Sequence, residues 1–245
     1  MKIQKTILVI IVAITFWMMK GNVSFSQTQA PSKSQTPENF LYLSWESDGM
    51  VPIGYLGKAL PARFAVIKVL VQPLIYSSKN KTYFDSDDWS YQWYVNDNLM
   101  EEGKGLKEFR FRGSDWDKMT YKVTVKVLTP LSETPFEKSI DINLAQPALY
   151  FKAAGEKKIS LGQYVTSSQS LILEAVPFFF ASDDPSKLHY MWRVNDKRWM
   201  NFDNQKTLIL PKAEEGEKNY TIQLTIEDLR DIIITASAKI NITLK

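Results

Sequence analysis

The 245-residue chain contains no cysteine, and this excludes disulfides, thiolate metal sites and cysteine nucleophiles together. It has a single histidine, His189, so a nucleophilic triad has one imidazole to build on, directly before an apolar strand pattern. No Gly-x-Ser-x-Gly, His-Glu-x-x-His or glycine-rich phosphate loop is present, and the chain reads as a binding or structural protein rather than an enzyme. Excess positive charge is also missing from the body of the chain. The formal charge is +3, but Lys2, Lys5 and Lys20 lie in an N-terminal stretch free of acids, so the remainder is neutral. A neutral body lacks the footprint that a phosphate backbone demands, which argues against nucleic acid as a partner. A chain of this size without any disulfide, if exported, fits a bacterial or archaeal envelope better than an animal secretory pathway.

What is present begins with an address. Lys2 and Lys5 precede the mostly apolar run Thr6 to Met19, followed by small residues at Ser24 and Ser26. This is the pattern of an export signal over residues 1–26, cleaved near Gln27, with retention as an N-terminal membrane anchor helix as the other reading. No cysteine follows for lipid attachment. Residues 27–39, rich in Gln, Ser, Thr and Pro, read as a flexible linker. The expected location is the cell envelope or outside the cell, with membrane contact only through the N-terminal segment.

The strongest signal is an internal repeat. Tyr91-Gln-Trp93-Tyr-Val95-Asn96-Asp97 recurs as Tyr190-Met-Trp192-Arg-Val194-Asn195-Asp196, and Tyr121-Lys-Val123-Thr-Val125-Lys-Val127 recurs as Tyr220-Thr-Ile222-Gln-Leu224-Thr-Ile226, both at an offset of 99 residues. Within each copy apolar residues alternate with polar ones, as strands with one buried face require. Strands are expected over Leu41–Trp45, Phe64–Val71, Glu108–Arg112 and Ser139–Leu144, and over Leu149–Lys152, Ser170–Val176, Thr207–Leu210 and Ile232–Leu244. The fold class is therefore all-β, with two sandwiches over 40–145 and 146–245 joined near Ala145 to Pro147.

A Trp in the third strand (Trp93, Trp192) and a Tyr opening the sixth (Tyr121, Tyr220) give each copy the look of the immunoglobulin-like and PKD-like β-sandwich. The resemblance implies that these four are structural core residues, the Trp filling the core and the Tyr closing a corner. The Asn-Asp pairs at 96–97 and 195–196 look like the PKD turn. A narrower resemblance, carried by Leu43-Ser-Trp45-Glu-Ser-Asp48-Gly-Met-Val51-Pro52-Ile-Gly54-Tyr55-Leu-Gly57 and by Ala175-Val-Pro177-Phe-Phe-Phe180, is to uncharacterised exported two-domain proteins of candidate-phylum bacteria. It implies location and architecture, not a ligand.

Candidate binding residues lie between strands. The loop before Tyr91 is longer than its counterpart before Tyr190 and carries Tyr83, Phe84 and Trp89, while the shorter one carries Phe178, Phe179 and Phe180. Loop aromatics suit a protein or glycan surface, or else pack over the open end of a core or into a contact between domains. Trp116 and Trp199 invite the same two readings. Asp85, Asp87 and Asp88 form an acidic cluster that could offer oxygens to calcium, the one cofactor considered, or remain solvated. The sequence thus points to an envelope or surface protein that binds another macromolecule, an envelope protein first, with a carbohydrate-binding accessory module binding a surface glycan as the alternative.

Overall fold

The computed structural model describes residues 39–114, 118–156, 162–166, 170–181, 184–211, 218–229 and 231–244. Residues 1–38, where the export signal and all but the last residue of the linker are expected, and Trp116 lie outside these. Among the described residues regular structure is β-strand, with two single-turn 3-10 helices at Pro185–Lys187 and Met200–Phe202.

The first sandwich places β1 (Phe40–Ser47), β2 (Val66–Leu74) and β7 (Glu108–Arg112) in one antiparallel sheet, in the order β1-β2-β7. Facing it are β5 (Ser90–Val95), β6 (Asn98–Lys104), β8 (Thr120–Thr129) and β9 (Ser132–Asn143), in the order β6-β5-β8-β9. A small ribbon of β3 (Tyr76–Ser77) and β4 (Thr82–Tyr83) lies between β2 and β5. The cause is visible in β8, where Tyr121, Val123, Val125 and Val127 are buried in a core shared with Ile67, Val69, Trp93 and Phe109 of both sheets. Thr124, on the opposite face yet also buried, is satisfied by the Ser139 hydroxyl at 2.8 Å.

The second sandwich repeats the plan. β10 (Ala148–Ala153), β12 (Leu171–Phe178) and β15 (Thr207–Leu210) form one sheet. β11 (Gly162–Thr166), β13 (Leu188–Val194), β14 (Lys197–Arg198), β16 (Lys218–Asp228) and β17 (Asp231–Leu244) form the other, in the order β11-β17-β16-β13-β14. The β11–β17 pairing is parallel and has no counterpart among the described residues of the first sandwich. The architecture is a tandem immunoglobulin-like β-sandwich, and the connection from Asn143 to Ala148 is short.

The repeat extends to single hydrogen bonds. The indole N–H of Trp93 donates to the Leu106 carbonyl at 2.9 Å and that of Trp192 to the Gln205 carbonyl at 2.8 Å, positions again 99 apart. The Asn96 side chain accepts from the Lys122 N–H, and Asn195 accepts from the Thr221 N–H. Both Asn-Asp pairs adopt positive φ, 49° and 65° in the first copy, 48° and 63° in the second, the conformation of a type I′ hairpin turn. Asn and Asp tolerate this conformation, but glycine adopts it without a Cβ penalty. Asp97→Gly and Asp196→Gly are therefore each expected to raise stability by about 0.5–1 kcal/mol, read from urea midpoints. The exposed Asp97–Lys122 ion pair lost in the first variant offsets little of this.

Trp93, Trp192 and Tyr121 are buried, whereas Tyr220 stays partly exposed at the margin of its core. A Cβ added at Gly113 would lie 2.8 Å from the Tyr121 ring, so this glycine lets the ring sink. The second copy has Lys212 at the aligned sequence position, a residue that carries a Cβ.

Candidate functional site

The 18 residues between β1 and β2 form an arm rather than a simple turn. Its base is closed by Asp48, whose carboxylate accepts the Val66 N–H at 2.7 Å and whose own N–H reaches the Val66 carbonyl. Gly49 follows in a tight place: a Cβ there would meet the Leu60 carbonyl oxygen at 2.3 Å. The next residue crosses to the other sandwich. The Met50 N–H donates to the Phe180 carbonyl at 2.8 Å, and the Met50 carbonyl accepts the Phe179 N–H at 2.6 Å, a strand-like exchange. The Met50 side chain is buried in the core of the second sandwich. A flexible, polarizable thioether adapts readily to a core built from another element's residues.

Further contacts hold the arm down. The Tyr55 ring meets Phe178 edge-on at 5.5 Å, and Phe178 meets Tyr150 the same way at 5.5 Å. Ala62, Ala65 and Ala181 form a small buried cluster with Phe64, and the Ala145 N–H bonds to the Pro61 carbonyl. The Lys58 ammonium lies 3.3 Å from the centre of the Trp45 ring, and burial depresses its pKa despite the opposing influence of Glu46. At the tip, the Tyr55 N–H donates to the Pro52 carbonyl across a turn whose third residue, Gly54, has φ 82°, as a type II turn requires. This turn leaves Ile53 and Leu56 wholly exposed, at 108% and 101%. Beside it lies a depression of about 330 Å³ lined by Val51, Ile53, Lys152, Glu174, Pro177 and Lys206. Burial opposes ionisation of Glu174, but hydrogen bonds from Lys206 and Lys152 prevail and hold its carboxyl below the usual range.

Most of the loop aromatics take the packing reading rather than the binding one. Trp89 is buried in the first core, and Phe178 and Phe180 are buried where the arm meets the second sandwich, so none of the three can present a face to a ligand. Phe84 is partly buried against the first core, Phe179 is half-buried, and Trp199 packs partly buried on the second core. Of the seven, Tyr83 is exposed, its ring edge-on to Tyr76 at 5.6 Å. The cause is general: the open end of a sandwich exposes apolar side chains unless loop residues fold back over it.

The acidic cluster does not converge either. The carboxylate of Asp87 pairs with Lys107, Asp88 pairs with Lys104 at 2.8 Å, and Asp85 accepts the Asp87 N–H. Among the described residues no three His, Cys, Asp or Glu side chains gather as a metal would need. Two lysine ammonium groups already neutralise the carboxylates calcium would require. His189 stands opposite Glu227 on the neighbouring strand, its ring nitrogen 3.6 Å from the carboxylate.

One buried group differs between the copies. Tyr91 donates its hydroxyl to the Ser86 carbonyl at 2.9 Å, while the aligned Tyr190 hydroxyl is buried with no hydrogen-bond partner among the described residues. Burial pushes Tyr190 up to about 12. Between pH 10 and 12 the unfolded chain has lost this proton and the folded chain keeps it, so stability falls as pH rises, by about 2–3 kcal/mol across the window. Tyr190→Phe is expected to remove that alkaline loss and to be neutral or stabilising at pH 7. Tyr91→Phe should cost about 1 kcal/mol. Urea unfolding at pH 7 and pH 11 checks both.

No protein family description and no curated protein matches the sequence. Similar solved structures are the three N-terminal domains of the highly immunogenic outer capsid protein of bacteriophage RB49 (14% identity, TM-score 0.42, covering 84% of this chain and 59% of that one) and the fibronectin(III)-like modules of Clostridium thermocellum CbhA (14%, 0.28, 83% and 94%). A third is the central fibronectin-III array of RIM-binding protein (15%, 0.27, 82% and 69%). This chain thus spans less than two thirds of the bacteriophage fragment. None of the three is a candidate-phylum exported protein, and at these scores no ligand or activity carries over.

Proposed function

We propose that this chain is an exported, non-catalytic envelope or surface protein that binds a protein partner through the arm turn at Ile53 and Leu56. The observation that supports this is the pairing of full exposure with firm anchorage. Two aliphatic side chains stand clear of the surface on a turn clamped by Met50 and Tyr55, so little ordering entropy remains to be lost when a partner covers them. The neighbouring depression, with Lys152, Glu174 and Lys206 at its wall, supplies polar groups around that apolar centre.

The test is site-specific photo-crosslinking in the cell envelope. A crosslinker at Leu56 should give a discrete protein adduct that Ile53→Ser abolishes, while one at Ile172, an exposed isoleucine on the second sandwich, gives none. Equal labelling at both positions, or an adduct indifferent to Ile53→Ser, rejects the reading.

A glycan partner is the second reading, favoured by a different surface. Phe40 and Tyr42 alternate along β1 on the same outward face, beside a depression lined by Tyr42, Ser44, Leu70, Gln72, Lys107 and Glu108. Aromatics on a flat sheet with polar neighbours suit sugar stacking. In this reading Tyr42→Ala abolishes retention on an envelope polysaccharide and Ile53→Ser leaves it intact.

A further inference from the structure

The arm covers part of the outer face of the small sheet in the second sandwich. On β12, Leu171, Leu173 and Ala175 point into the core, while Glu174, Val176 and Phe178 alternate on the other face. Val176 and Phe178 are nonetheless buried, because the arm lies over them, with Tyr55 against Phe178 and with Val51 and Ile53 beside Val176 in the wall of one depression. Glu174 stands where this cover ends. Lys206 donates to one of its carboxylate oxygens at 2.8 Å, and the Lys152 ammonium lies 3.0 Å from the other.

The first sandwich shows the same place without this cluster. The Ala175 N–H bonds to the Lys206 carbonyl as the Val71 N–H does to the Lys107 carbonyl, so Lys206 corresponds to Lys107. Strand register then matches Glu174 with Leu70 and Lys152 with Ser44. The fold thus closes this face without the Lys152–Glu174 pair, and the pair occurs in the copy on which the arm lies. The balance of charge differs as well. Lys107 is matched one to one by Asp87, whereas two ammonium groups share Glu174 and leave the cluster at +1. Each ammonium has three N–H donors and spends one on Glu174, and both lysine side chains remain a third or more exposed.

We infer that the depression between the arm and β12 takes an acidic segment of a protein partner, with an Asp or Glu carboxylate held by Lys152 and Lys206 and an adjoining apolar side chain packed on Val51, Ile53 and Pro177. This rests on the reading of the arm turn as a protein-binding site and names the partner's chemistry. Glu174 acts as a spacer that holds two cationic donors around one point, so an incoming carboxylate finds both in place. The apolar wall keeps water from one side of that contact and so strengthens it.

The test extends the crosslinker at Leu56 in the full chain. Replacing the cluster by Lys152→Gln, Glu174→Gln and Lys206→Gln together removes its charge without stranding an unpaired ion, and should cut the protein adduct several-fold. Glu174→Gln alone raises the cluster to +2 and should leave the adduct at least as strong, a result that misfolding does not produce. Lys197→Glu, on the exposed strand β14 of the opposite sheet, should leave it unchanged. Mass spectrometry of the adduct should place Asp or Glu near the attachment point in the partner, and replacing that acid by Asn or Gln should reproduce the loss. An adduct indifferent to the triple substitution, or weakened equally by Glu174→Gln or Lys197→Glu, overturns the inference and leaves the arm reading standing. No adduct at Leu56, or one whose added mass is glycan, removes the arm reading and the inference with it.

Discussion

Met50→Asp should divide the thermal unfolding of this chain into two transitions, where the unaltered protein should melt in one. The side chain concerned belongs to the first sandwich by sequence and to the second by burial. A carboxylate in that apolar core has no partner, so the arm leaves its socket or the core opens to admit water. Either outcome costs several kcal/mol, a large share of the stability of an ordinary domain. The second sandwich loses most, and the first, freed from its clamp, melts by itself. Met50→Leu keeps the volume and should cost under about 1.5 kcal/mol. Gly49→Ala should act like Met50→Asp in weaker form, because its Cβ would strike backbone rather than a yielding side chain. Differential scanning calorimetry distinguishes the cases, and a single melt for Met50→Asp would mean that the arm does not couple the sandwiches.

Trp93→Ala and Trp192→Ala each lose about 3–5 kcal/mol, comparable with the whole stability of a small sandwich. Two effects add. Each indole is fully buried between its sheets, with Trp93 stacked on Phe109 at 5.5 Å and Trp192 beside Phe151 at 6.0 Å. Each also satisfies a carbonyl, Leu106 or Gln205, that truncation would leave without its donor. The Phe variants separate the terms, since they keep most of the packing and lose the N–H. Near-UV circular dichroism against urea should show one transition at a lower midpoint, because the seated arm couples the sandwiches; the altered sandwich unfolding ahead of the other would place the cooperative unit at the single sandwich.

The sequence made the strands legible because alternation is local. β7 and β15 occupy in the structure the same residues that their sequence pattern marks, and the Trp–Tyr spacing finds the centre of each copy. What escaped has its cause elsewhere in the chain. β6, Asn98–Lys104, is exposed on both faces and so shows no alternation to find. Met50 sits in a stretch that reads as loop, and nothing near it in sequence announces a socket formed around Phe179 and Phe180. Those aromatics left two readings open for the same reason: a loop's composition does not show whether it folds back over a core. Neighbouring aspartates look like a metal site until Lys104 and Lys107, brought in from the adjoining strand and turn, neutralise them. The length and β-branched character of β17 were plain, but how much of its edge β11 covers depends on a parallel pairing that no local pattern encodes.

The arm gives the pair of sandwiches a reading direction. The first copy is the donor, with Met50 between its first two strands, and the second is the acceptor, with Phe179 and Phe180 after β12. In the second copy the sequence between β10 and β12 contains no methionine, so the roles are not interchangeable. A gene in which residues 146–245 were moved ahead of 40–145 would encode the same two folds with the plug and its socket on the wrong ends, and the product would behave as two beads on a string. Two copies of one plan are thus set in order by what the 18 residues between β1 and β2 carry.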